Sequence, residues 1–140
     1  MTKDEILALL NENTVCFLAT ADGDQPRVRG MALYRADEDG IIFHTGAGKD
    51  MALQMEKNPK VEVCAFDQKS NTQVRVAGTV EFLDDMALKQ QMVVDRPFLK
   101  PIVDAVGYDF LLVFRVKDCV ATVWTMEANL APKTFVKLSA

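Results

Sequence analysis

The chain is 140 residues long, 49% hydrophobic and 26% charged, with a formal net charge of −4. That length suits one domain spanning 1–140, and the acidic balance argues against a nucleic-acid partner, which needs a basic face to displace counterions. No apolar run approaches the ~20 residues of a membrane span, and the start "MTKDEILALL" lacks the order of a secretion signal, so a cytoplasmic protein off the membrane is expected.

Thr2 and Glu5 form a T-x-x-E capping box, predicting a helix over 3–12 with Ile6, Leu9 and Leu10 on one face. "TVCFLAT" (14–20) reads as a buried strand and "ADGDQ" (21–25) as a hairpin turn. "PRVRGMALYRA" (26–36) is the return strand, "DEDG" (37–40) the next turn, and "IIFHT" (41–45) a third strand. "KDMALQMEKNP" is one short helix with Met51 and Met55 a turn apart, stopped by Asn58-Pro59. "KVEVCAFD" (60–67) and "TQVRVAGTVEFL" (72–83) alternate with period two, so Val74, Val76, Val80 and Phe82 share a face. Asp84 is expected to cap a helix reaching about Val94, "RPFLKP" (96–101) to break it, and 102–107 to form another helical turn. "DFLLVFRVKD" and "CVATVWTM" read as a closing hairpin. Tight turns require antiparallel neighbours, which predicts a mostly β (α+β) fold closed or half-closed into a barrel of six or seven strands with short flanking helices.

The chemistry concentrates in two stretches. "GIIFHTGAGKD" (40–50) has a P-loop's look without its spacing, because Lys49 is followed by Asp50 and no hydroxyl residue reaches a metal. Nucleotide hydrolysis is therefore not expected, whereas a single phosphate held by Thr45, backbone N–H groups and Lys49 at a helix N-terminus is. "PRVRG" puts Arg27 and Arg29 on one sheet face. If strands 26–36 and 41–45 pair across the intervening turn, Arg29, Thr45 and Lys49 converge on that phosphate. Three scattered cysteines (Cys16, Cys64, Cys119) read as buried free thiols, and one histidine, His44, leaves no basis for a zinc site or a Ser-His-Asp triad.

The run from "PRVRGMALYRADEDG" through "NPKVEVCAFD" to "TQVRVAGTVEFL" resembles the FMN-binding split β-barrel, Greek-key-like, of the pyridoxamine 5′-phosphate oxidase-like superfamily. The resemblance covers roughly residues 3 to 126 and is nearest to the short, general-stress-protein-like flavoproteins. It implies FMN as cofactor, with Arg29 and Arg27 toward the phosphate, Met31 and Ala32 lining the isoalloxazine edge, and His44, Thr45, Gly46 and Lys49 at the mouth of the third strand. It also implies a homodimer in which Gln73 reaches the flavin of the partner subunit. Trp124 reads either as packing or as a stacking surface beside that flavin. Departures from the oxidase proper are Asp50 and Met51 where a basic pair stands, Tyr34 in place of a lysine, and no counterpart of its C-terminal arginine–histidine segment. The expected activity is an FMN-dependent oxidoreductase linking NAD(P)H to a small acceptor, not vitamin B6 oxidation. A non-catalytic flavin- or heme-binding carrier or stress protein, and a deazaflavin-dependent reductase, are the alternatives.

Overall fold

A computed structural model describes residues 1–139. Thr2 caps α1 (Lys3–Glu12) through its hydroxyl, which accepts from the Glu5 N–H at 3.2 Å, and Ile6, Leu9 and Leu10 are buried. The strands are β1 (Val15–Asp22), β2 (Gln25–Ala32), β3 (Arg35–Asp37), β4 (Gly40–Gly46), β5 (Lys60–Asp67), β6 (Thr72–Leu83), β7 (Leu111–Trp124) and β8 (Val136–Lys137). Between them lie α2 (Asp50–Lys57), α3 (Met86–Asp95) and α4 (Lys100–Val106). Asp85, one residue later than expected, caps α3.

All eight strands form one antiparallel sheet in the order β2-β1-β5-β6-β7-β4-β3, with β8 on β7. The sheet is not closed, which corrects the barrel expected from the tight turns and from the family resemblance. The expected return strand over 26–36 is in fact two strands at opposite ends of the sheet. β2 pairs with β1, while β3 pairs with β4, and the break falls at Leu33–Tyr34. The Leu33 N–H goes to Thr14 and the Tyr34 N–H to Ile42, so the backbone changes partners between adjacent residues. No ladder then joins β2 to β4. The carbonyls of Ala32 and Leu33 are taken instead by the guanidinium of Arg96, at 3.2 and 2.8 Å. A slit therefore remains between β2 and β4.

The expected C-terminal hairpin is also corrected. Residues 111–124 run as a single strand, with Phe114 and Val116 inward before Lys117 and Cys119 and Ala121 inward after it. The phase change comes from a bulge at Asp118, which has φ 55° and sits where the β6 register slips between Ala77 and Thr79. Gly78 faces this bulge. A Cβ there would lie 2.6 Å from Val116 Cγ1 and 2.7 Å from the Lys117 carbonyl.

Alternate residues of the strands fill a main core in which Phe43 and Phe114 stack at 5.4 Å and Phe82 meets Phe114 edge-on at 6.5 Å. A second cluster, Ile42, Leu111 and Val113 with Met92 and Leu99, packs the other face of β4 and β7 under α3 and α4. Both faces of Leu111–Val116 are thus buried within one chain.

Candidate functional site

The slit between β2 and β4 opens into a cavity of about 320 Å³. One wall is the β2 end, Gly30, Met31 and Ala32; another is the β4 end, His44, Thr45 and Gly46, continuing to Lys49. The third is apolar and comes from Phe98, Ile102, Val103 and Phe110 in the α3–β7 connection. Six of the ten expected site residues, Met31, Ala32, His44, Thr45, Gly46 and Lys49, meet here, while Arg27, Arg29, Gln73 and Trp124 do not.

Gly46 is required by packing. A Cβ on it would lie 2.7 Å from Phe110 Cζ, so the missing side chain is what lets that ring close the cavity floor. Gly48 (φ 87°) then turns the chain, and Lys49 stands at the N-cap of α2 with no side-chain capping bond. The first N–H groups of a helix have no intrahelical partner and carry a partial positive charge. Among the described residues, neither the Lys49 ammonium nor the Thr45 hydroxyl is bonded to protein, although Thr45 is buried. The cavity thus pairs an apolar body with an anion-accepting end.

His44 is part of the β4 wall. Its Nε2 is 2.8 Å from Arg96 Nη1, and its ring is 6.4 Å from that of Phe98. Burial, then the charges of Arg96 and Lys49, push its pKa down to about 4, so the imidazole is neutral at physiological pH. With Nε2 facing a cation, His44 is poorly arranged to ligate a heme iron. Arg96 escaped the sequence reading, where "RPFLKP" registered only as a helix breaker. Its signal was the following proline, which disfavours the helical conformation at the preceding residue; Arg96 is non-helical (φ −126°, ψ 78°) and turns off α3. The guanidinium then lies 5.4 Å from the Tyr34 ring, whose hydroxyl donates to Asp95.

Arg29 is placed differently from the expected convergence with Thr45 and Lys49. Its guanidinium donates to the Leu18 carbonyl at 3.2 Å, Thr20 Oγ1 at 2.8 Å and Gln54 Oε1 at 2.9 Å, clasping β1 and β2 to α2. It borders a separate open groove with Arg27, Asp50 and Gln54. Arg27 itself pairs with Asp22 at 3.2 Å on the surface. Gln73 and Trp124 are register partners on β6 and β7 and line a third cavity of about 240 Å³ with Arg75, where the Trp124 indole donates to Asn129. Of the cysteines, Cys16 and Cys119 are buried with thiols raised to about 11 by burial, whereas Cys64 is only half-buried. Among the described residues no group of three or more His, Cys, Asp or Glu is arranged to hold a metal, and no helix is long and apolar enough to cross a membrane.

A family model described as pyridoxamine 5′-phosphate oxidase matches residues 2–104. The chain belongs to that family. A pyridoxine/pyridoxamine 5′-phosphate oxidase of Escherichia coli is 36% identical over 80 residues, covering 56% of this chain and 37% of the relative. The chain spans under two-fifths of the length of such curated relatives. Among solved structures, a NimC/NimA family protein from Clostridium acetobutylicum superposes with a TM-score of 0.79 at 26% identity, covering 97% of this chain and 93% of that one. The general stress protein 26 of Bacillus anthracis gives 0.69 at 17% identity, covering 97% and 98%.

Proposed function

We propose that this family member binds FMN in the slit between β2 and β4, with the phosphate at Lys49 and the N-terminus of α2. It then passes reducing equivalents from NAD(P)H to a small acceptor. The observation that carries this reading is the unpartnered polar set, Thr45 Oγ1 and Lys49 Nζ, in a cavity whose remaining lining is apolar apart from His44 and Arg96. A phosphate suits the free N–H groups and the ammonium, while the flat ring suits the edge of β2 and the aromatic wall. FMN, when bound, supplies the redox chemistry; the protein binds it, orients it and excludes water. Neither a carboxylate nor a cysteine lines the cavity, in keeping with that division of labour.

Support for a homodimer comes from the outer face of β1 and β5. Val15, Phe17 and Phe66 are exposed together on the outer face of β1 and β5, along a groove that also includes Cys64. Gly30 and Ala32 of the cavity wall pair with Phe17 and Val15, and Phe66 pairs with Gln73. A two-fold contact on this face would bring Gln73 and Trp124 of one copy near the slit of the other. The cavity is at the small end of the usual ligand range of about 300–1,000 Å³, so a partner also supplies walls that one chain lacks.

The test is retention and reduction of flavin. Purified protein loaded with FMN and desalted should keep stoichiometric flavin absorbance, and NADH or NADPH should bleach it without oxygen. Colourless desalted protein that does not quench FMN fluorescence at micromolar concentration would overturn the proposal.

A further inference from the structure

We propose that Arg96 is a positioning residue that holds His44 as its Nδ1–H tautomer, so that the imidazole offers the slit a hydrogen-bond donor and its occupant must present an acceptor there. A guanidinium has only donors, so the ring nitrogen 2.8 Å from Arg96 Nη1 is the acceptor and carries no proton. A neutral imidazole with a bare Nε2 has its proton on Nδ1. Among the described residues Nδ1 has no protein partner, and His44 borders the cavity, so the remaining N–H is available to a ligand.

Arg96 is itself fixed, which is what makes it a lock. Nη1 and Nη2 also grip the carbonyls of Ala32 and Leu33, and the planar group lies against Tyr34. The charged groups acting on the imidazole are both cations: Arg96 after α3 and Lys49 before α2. From Phe98, in the turn between α3 and α4, and from Val113 across the β4–β7 ladder it meets only apolar groups. Protonating the ring would set two N–H groups and two charges against each other at Arg96, so the neutral tautomer is the one the surroundings accept.

The identity of the acceptor rests on the FMN reading; the tautomer does not. His44 is the only histidine, so the ring nitrogens of protein labelled with ¹⁵N-histidine report this one side chain without assignment. FMN-free protein should show protonated Nδ1 and unprotonated Nε2, unchanged from about pH 5 to 8. Arg96→Met should give a mixture of tautomers and a pKa moved back toward the ordinary value. Nε2–H or imidazolium at neutral pH, or a spectrum unmoved by Arg96→Met, would overturn the lock. His44→Met is the second variant, since its thioether sulfur still accepts weakly from Arg96 and it has no N–H to offer the slit. FMN affinity should then fall roughly 3- to 10-fold, the size of one neutral hydrogen bond, in protein that still unfolds cooperatively. Undiminished FMN affinity in His44→Met would overturn the donor role.

Discussion

Lowering the pH should destabilise this protein through His44 by an amount the structure bounds. The ordinary histidine pKa is 6.5 and the folded value is about 4, because burial and the two cations oppose the charged ring. Above pH 6.5 neither state is protonated and the group contributes no pH dependence. Between 6.5 and about 4 the unfolded chain takes up a proton that the folded chain refuses. The unfolded state then binds more protons, so stability rises with pH across this window and is lost as pH falls through it. The ceiling is about 3.4 kcal/mol, at 1.36 kcal/mol per pH unit. His44 is only part-buried, and solvent screening reduces this to about 1.5–2 kcal/mol. Urea unfolding at pH 7.5 and 4.5 gives the loss directly. The same pair of measurements on His44→Gln removes the carboxylates common to both proteins. The wild type should lose about 1.5–2 kcal/mol more than the variant over that interval. Equal losses would refute the reasoning, because His44 would then titrate as a solvated histidine.

Gly46→Ala should cost about 1–3 kcal/mol in chemical denaturation, the usual penalty of overpacking, since its Cβ falls 2.7 Å from Phe110 Cζ. A neutral effect would mean that Phe110 moves aside freely. Arg29→Met should lower stability by about 1–3 kcal/mol, because it strands the Leu18 carbonyl and the Thr20–Gln54 pair. Its effect on FMN affinity should be smaller than that of a Lys49 change; the reverse order would put the phosphate in the Arg29 groove.

Local pattern made much of the fold legible. The capping box of Thr2, the alternation of β5 and β6, and the Asn58-Pro59 stop each gave an element close to its observed bounds. Partner choice was not legible, because hydrogen-bond allegiance changes at Leu33–Tyr34 inside an unbroken strand-like run. One continuous strand was assumed there, which paired Arg29 with the wrong neighbours and closed a sheet that is open. At Asp118 the error was of the opposite kind. A single bulge residue shifts the inward phase of β7, and "KD" then looks like a turn. The stretch 44–49 was identified from spacing and glycines, whereas Arg96 was not, since its role depends on contacts with Ala32, Leu33 and His44 more than 50 positions away.

The central claim is that the slit binds FMN by its phosphate at Lys49. The direct measurement is the affinity of the wild type and of Lys49→Met for FMN and for riboflavin, which lacks the phosphate. One charge-assisted hydrogen bond contributes about 1.5–3 kcal/mol, so Lys49→Met should weaken FMN roughly 10- to 150-fold and leave riboflavin almost unmoved. Equal losses for the two flavins, or no loss for FMN, would contradict the account.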